Sequence, residues 1–317
     1  GIKNASVKAL ESQTFKQWVE SRKMTKRVND WIRMTLECEL ATPWDRFSAL
    51  VGLLEFNYFL GPAGEKNYKV EGGNSKLIEA LANDAAPHVT TSATVSRVDH
   101  RDGKAVVSYM KEGHVQELVA DRVVVAVPFW RLHQIHFDPP LSPAKWDAIN
   151  SMQRGQYTVV HMIVDKKFHA LTDVKGENPF PILSDGALGV IYGVQSKAPA
   201  DSPNEVFAFL VHGDAAYAFH MVPRDVKIKE MLTAMDKLYP GFSKLVKSDY
   251  IYTYHPGAVA VWPLGRSPID AQADAIRAEE NGTILVGDWT WSAHSDGAAK
   301  SGINAAATLG RELTPPK

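Results

Sequence analysis

Residues 282–306, GTILVGDWTWSAHSDGAAKSGINAA, constrain the fold more than any other stretch. Ile284 to Val286 form a short apolar run bounded by glycines, which reads as a buried strand. Gly287 ends that run, and Asp288 places a carboxylate at the carboxyl end of the strand, where open α/β sheets bind their ligands. An ionised carboxylate only accepts hydrogen bonds, so Asp288 suits a sugar or ribityl hydroxyl. Asp296-Gly297-Ala298 then open a helix whose first amides and dipole favour an electron-rich partner. Ala298, Ala299, Gly302, Ala305 and Ala306 keep one side of it thin enough for close approach. Plain helix-on-sheet packing with small residues and an aspartate cap explains these features equally well.

A second apolar run, Val123 to Val127, is hydrophobic on both faces and predicts a strand covered on both sides, as in an α/β layer. Before it, Asp102-Gly103 and Glu112-Gly113 separate three alternating runs and predict a hairpin meander. The amino-terminal part reads as helices over 5–20, 25–39 and 47–60. GPAGEKNYKVEGGNSK breaks the helical pattern, and Asn74 or Ser75 is the expected cap of KLIEALAND. Ser142 is the expected cap of PAKWDAINSM. YTVVHMIVD, LGVIYGV and EVFAFLVHG predict a second sheet, followed by a helix near 224–238. SDYIYTYHP predicts a further strand, and the chain closes on a strand and helix. This order suggests two domains crossed more than once by the chain.

With 35 basic against 36 acidic side chains, the net charge is −1. That balance gives no electrostatic footprint for nucleic acid. One cysteine, Cys38, provides neither a disulfide framework nor a cysteine-based metal site. No apolar stretch has the length of a membrane span, so a soluble protein is expected, with its compartment open.

Three stretches in register resemble the FAD-dependent amine oxidase family, which includes monoamine, polyamine and L-amino-acid oxidases. ILVGDWTWSAHSDGAAKSGINAA resembles its carboxyl-terminal flavin signature. YKVEGGNSKLIEALA resembles its Gly-Gly segment and the helix that follows. VSRVDHRDGKAVVSY, with ADRVVVAVPFWRLHQIHFDPPLSPAKWDAI, resembles its hairpin, buried strand and Pro-Pro turn. The resemblance covers most of the chain from about residue 68 onward. It implies an α/β (α+β) fold: the carboxyl-terminal part of a two-domain, Rossmann-like FAD-binding architecture with a mixed-sheet substrate domain and a helical region. The implied division is 1–66 helical substrate region, 67–145 FAD domain, 146–255 substrate sheet and 256–317 return to the FAD domain.

The resemblance also implies roles for particular residues. Val95 lies beside adenine, Asp288 replaces the family's glutamate, and Gly287 and Trp291 belong to the flavin turn. Ser295, Gly297 and Ala298 present amides to the flavin's pyrimidine edge. The paired aromatics that face the flavin map to Val259 and His294, so one wall becomes aliphatic and the other an imidazole. Trp262, Trp289 and His161 are further pocket candidates, and a core role suits each tryptophan at least as well. A histidine satisfied at a helix entry is the competing reading of His294. The lysine that many members hold near the flavin maps to Val159, which implies slow reoxidation by oxygen or another electron acceptor. No catalytic acid, base or metal is assigned.

Gly-x-Gly-x-x-Gly, the mark of an ADP-binding βαβ unit, occurs nowhere in the sequence. The resemblance therefore places the start of the chain after that unit, and an obligate second polypeptide carrying it is expected. The leading expectation is the larger part of an FAD-dependent enzyme oxidising an amine or L-amino acid to an imine. A desaturase or isomerase of a non-amine substrate, and a non-catalytic scaffold subunit, are the alternatives.

Overall fold

In the computed structural model, residues 1–60, 70–172, 179–184, 186–194, 202–247 and 252–313 are described. Tyr68 and Lys69 of the Gly-Gly stretch, the expected boundary at 66/67 and the start of SDYIYTYHP lie outside them.

The helical opening differs in one respect from the periodicity. Residues 5–20 do not form one helix but two, α1 (Ala5–Glu11) and α2 (Phe15–Ser21). The break is chemical: Thr14 accepts from the Gln17 amide at 3.1 Å while the Gln17 side chain accepts from the Thr14 amide at 3.0 Å. This reciprocal cap starts a new helix more favourably than it continues an old one. α3 (Lys26–Leu40) is capped by Thr25, and α4 (Ala49–Leu60) follows. α5 (Ser75–Ala85) begins without a side-chain cap: Asn74 is itself helical and Ser75 lies inside the helix, so neither expected cap forms.

The meander is as expected. β1 (Thr94–Arg101), β2 (Lys104–Lys111) and β3 (His114–Ala120) turn at two pairs with positive φ, Asp102-Gly103 at 52° and 76° and Glu112-Gly113 at 53° and 78°. Those are the angles a two-residue hairpin loop demands. β4 (Val123–Val125) is shorter than the apolar run that announced it, and β5 (His136–Asp138) joins β1 in parallel. The expectation that this run is covered on both sides is corrected: Val125 is buried but Val124 is 40% exposed. Its outward face has no covering layer among the described residues.

α6 (Pro143–Asn150) takes Ser142 as its cap, the hydroxyl accepting from the Lys145 amide at 3.3 Å. β6 (Gln153–Asp165), β7 (Ile182–Leu183), β8 (Val190–Val194) and β9 (Asn204–His212) come next. α7 (Gly213–Met221), which no sequence signal marked, precedes α8 (Arg224–Leu238). β10 (Tyr252–Val261) runs through Pro256-Gly257 by a bulge between His255 and Val259. α9 (Ala271–Arg277), also unmarked, leads to β11 (Thr283–Leu285) and α10 (Ser295–Leu313).

The chain divides into two units, each assembled from separated stretches: 1–9, 57–152 and 266–317 in the first, 10–56 and 153–265 in the second. The first holds the sheet β3-β2-β1-β5 and the parallel pair β4-β11, with β11 matched residue for residue from Thr283↔Val123 to Leu285↔Val125. The second holds the antiparallel sheet β10-β6-β9-β8-β7. Val160, Met162 and Val164 on one face of β6 join Phe207, Phe209 and α8's Met231 in its core. Strand alternation places Gly155, Val159 and His161 on the opposite face.

Candidate functional site

In the first unit, the turn between β11 and α10 gathers Gly287, Asp288, Trp289, Trp291, His294, Ser295, Gly297 and Ala298, all singled out from the sequence. Gly287, at φ 141°, lets the chain leave the strand sharply. Its amide donates to Ser301 Oγ at 2.9 Å, and Ser301 Oγ donates to the Ala298 carbonyl at 2.7 Å, so strand end and first helical turn are tied together. A Cβ on Gly287 would stand 2.6 Å from Trp289 Nε1, so this glycine is required by the turn's own packing. Gly297 is required likewise, because a Cβ there would meet Ser292 Oγ at 2.5 Å.

Asp288 opens the 3-10 turn after β11. Burial pushes its carboxyl above the ordinary carboxylate value, against the opposing pull of the Trp289 and Asp288 amides and the His294 charge. A desolvated acceptor of this kind gains from a hydroxyl donor brought by a ligand. Trp289 itself is core: it is 1% exposed, donates to the Val127 carbonyl at 3.2 Å and tilts against Phe129. Trp291 is half-buried, with the Arg277 guanidinium and the Lys300 ammonium each 4.5 Å from its ring centroid. His294 accepts the Ala298 amide at its carbonyl, 3.2 Å away, and its ring stacks on Tyr58.

Beyond the turn, α10 keeps its thin side open. Ser295, Ala298, Ala299, Gly302 and Ala306 are exposed, and a Cβ on Gly302 would meet nothing within 4 Å. The small residues therefore do not serve packing within the described chain; Ala305, by contrast, is buried against Ile284 and Val286. An open helix start, a desolvated carboxylate and an unfilled small-residue side together fit a dinucleotide-type flavin. Val95 lies apart from this turn in sequence, half-buried on β1 at a bulge, paired with Tyr109 of β2.

The remaining candidates belong to the second unit. Val159 and His161 are half-buried on the face of β6 away from the core, and the buried Nδ1 of His161 has no partner among the described residues. Val259 pairs with Gly155 on the same face and is 7% exposed; Trp262, just after β10, is 3% exposed. Cys38 and two phenols crowd nearby within this unit. Tyr157 donates to the Cys38 carbonyl, and burial pushes the thiol up to about 12, helped by the Glu39 charge and opposed by a hydrogen bond with Tyr192.

Arg266, in the first unit, is 5% exposed and donates to Asp270 at 2.6 Å and to the Ala148 carbonyl at 3.0 Å. Its charge is engaged in fastening α6 and α9. Lys145 does similar work, donating to the Ile276 and Ala278 carbonyls that end α9. Tyr58, Arg277 and Lys300 were missed by sequence reasoning, since each reaches the turn by folding alone. No cluster that could hold a metal ion, and no helix long and apolar enough to cross a membrane, is present among the described residues.

The sequence model described as flavin containing amine oxidoreductase matches residues 4–309. The nicotine dehydrogenase of Pseudomonas putida is 24% identical over 263 residues, covering 81% of this chain and 49% of that protein. An L-amino-acid oxidase of the snake Sistrurus catenatus edwardsii is 25% identical over 274 residues, covering 80% of this chain and 50% of that protein. The chain thus spans about half the length of the relatives it matches. Among solved structures, wild-type putrescine oxidase bound to putrescine has a TM-score of 0.78 at 20% identity, covering 98% of this chain and 70% of that one. Cyclohexylamine oxidase from Brevibacterium oxydans gives 0.78 at 15%, with the same coverage. At such identities the likeness shows the fold: this is an amine oxidase α/β architecture.

Proposed function

This chain belongs to the flavin-containing amine oxidoreductase family, and from that premise we propose that it is the substrate-binding and flavin-cradling part of an oxidoreductase acting on an amine or L-amino acid. The family's cofactor is FAD, which supplies a two-electron acceptor for oxidation of a carbon–nitrogen single bond to an imine that water then hydrolyses. The observation that carries the reading is the β11–α10 turn, where Asp288 is desolvated while the helix start and its small-residue side stay open.

The chain's own residues divide the work. Asp288 would accept from a ribityl hydroxyl, and the Ser295 and Gly297 amides would face the electron-rich edge of the ring; the Ala298 amide, expected to join them, is instead given to the His294 carbonyl. Gly287 sets the sharp exit from the strand, Trp291 flanks the turn, and Val95 offers its backbone to adenine. Within the second unit, Val159, His161, Val259 and Trp262 are the proposed substrate contacts; within the first, His294 is the proposed ring beside the flavin. Orientation and exclusion of water, rather than a dedicated base, do the remaining work. Valine at 159, where the resemblance expects a lysine, supports an acceptor other than oxygen.

The ADP half of the cofactor is held, on this proposal, by a Gly-x-Gly-x-x-Gly unit outside these residues, on a second polypeptide or a further stretch of the same one. Support comes from apolar surface left bare in the first unit. α5 buries none of its residues, exposing Leu77, Ile78 and Leu81, and β3 exposes Val115, Leu118 and Val119. Exposed apolar side chains gathered on single elements in this way support an interaction surface.

Anaerobic bleaching of the bound flavin by a panel of amines and L-amino acids tests the activity. Bleaching by neither class rejects it in favour of a non-amine substrate, and absence of any flavin spectrum favours a scaffold role. Mass analysis of native material under denaturing conditions shows whether a second polypeptide is present.

A further inference from the structure

We propose that Asn281 is a site of spontaneous covalent modification, its side-chain amide being displaced by the Gly282 backbone nitrogen with Glu279 as the base. The stretch Glu279-Glu280-Asn281-Gly282-Thr283 lies wholly in the first unit and forms the tight turn that enters β11. Glu280 and Thr283 close it by exchanging both main-chain hydrogen bonds, at 3.0 and 2.9 Å. Asn281 at φ 52° and Gly282 at 76° take the paired positive angles of a two-residue loop. Asn281 is exposed, and its side chain has no hydrogen bond or ion pair among the described residues, so the carboxamide can turn onto the main chain. No other asparagine of the sequence is followed by glycine, the residue whose missing side chain leaves its amide nitrogen least shielded.

Glu279 distinguishes this turn from any Asn-Gly pair. The Gly282 amide donates to Oε1 of Glu279, so a carboxylate already sits at the proton whose loss makes that nitrogen a nucleophile. The proton passes to Glu279, and the Gly282 nitrogen forms a bond to Cγ of Asn281. The Cγ–Nδ2 bond then breaks, and Nδ2 leaves as ammonia with the proton that Glu279 had received. Water opens the cyclic imide at either carbonyl, giving aspartate or isoaspartate with no change in oxidation state. Both products place a new negative charge beside Glu279 and Glu280. Isoaspartate also lengthens the main chain by one carbon inside the loop, just where β11 begins its match to β4 at Thr283↔Val123.

The test uses the full chain, incubated folded in warm, mildly alkaline buffer. Peptide mapping by mass spectrometry follows the mass gain of amide-to-acid conversion in the wild type, Glu279→Gln and Asn281→Gln. Glutamine at 279 keeps a carbonyl acceptor for the Gly282 amide but does not take its proton. The expected result is conversion at Asn281 ahead of every other asparagine, slowed roughly tenfold in Glu279→Gln, as loss of a positioned base does, and absent at this position in Asn281→Gln. Released ammonia should match the converted fraction, and the separated isoaspartyl form should melt below the unconverted chain. Glu279 is exposed, so its replacement should leave melting unchanged; a slowing accompanied by a lower melting temperature assigns the effect to the fold and overturns Glu279 as the base. Earlier conversion at another asparagine, or an unchanged rate in Glu279→Gln, also overturns the proposal. So does conversion that occurs only in guanidinium, which shows that the turn protects Asn281 instead of activating it.

Discussion

Asp288 shows how a residue can work against the fold that carries it. Burial raises its carboxyl above the ordinary value, so the folded chain disfavours the ionised form. The corresponding stability is present below the ordinary aspartate pKa, about 3.9, and lost as pH rises through the folded value. Asp288→Asn without flavin should therefore melt above the wild type at neutral pH, the gap closing as pH falls through the acid range. Flavin content should move the other way. A hydrogen bond to a charged acceptor is worth about 1.5–3 kcal/mol, so retention of flavin should fall by at least an order of magnitude. Thermal melts and flavin absorbance of the purified variant check the two signs. Cys38 makes the opposite case of a group with no chemistry at all. With its thiol pushed up to about 12, alkylation by iodoacetamide at pH 8 should be absent in the native chain and complete in guanidinium, by intact mass.

Among the elements, α10 separates what packing requires from what it leaves unused. Gly297 and Gly302 give contrasting predictions. Gly297→Ala forces a methyl to within 2.5 Å of Ser292 Oγ and should destabilise by about 1–3 kcal/mol, as overpacking does. Gly302→Ala meets nothing within 4 Å and should stabilise the isolated chain by about 1 kcal/mol on helix propensity alone, while lowering flavin content if the thin side admits the cofactor. Denaturant titrations and flavin absorbance of both variants read this out. The sequence announced α10 and its small residues, but not which of them the chain itself fills. Gly287 and Gly297 have the same composition signal as Gly302, and only Trp289 and Ser292 folding back distinguish them. Residues 5–20 teach a related lesson: the apolar spacing ran on, and a two-residue cap at Thr14 and Gln17 overruled it. α7 and α9 gave no signal because neither carries a clear amphipathic stripe in so few turns.

For the whole molecule, α5, β3 and β4 expose apolar side chains among the described residues. Replacing Leu77, Ile78 and Leu81 by serine should destabilise the chain alone by no more than about 1.5 kcal/mol, about 0.5 for each exposed helical site. The same triple replacement should lower both dye binding to exposed apolar surface and recovery of any co-purifying polypeptide. By itself the sequence determined the alternation that makes the meander and the second sheet, the two tight turns that Gly103 and Gly113 permit at positive φ, and the Gly-Asp strand end. These are local properties, set by side-chain period and backbone sterics within a few residues. Tertiary structure alone decided that Tyr58 lies on His294, that Arg277 flanks Trp291, that Arg266 is fastened to the Ala148 carbonyl, and that Val124 and α5 face outward. Each depends on segments remote in sequence arriving at one place, and burial and pairing there are properties of the folded chain that no local pattern encodes.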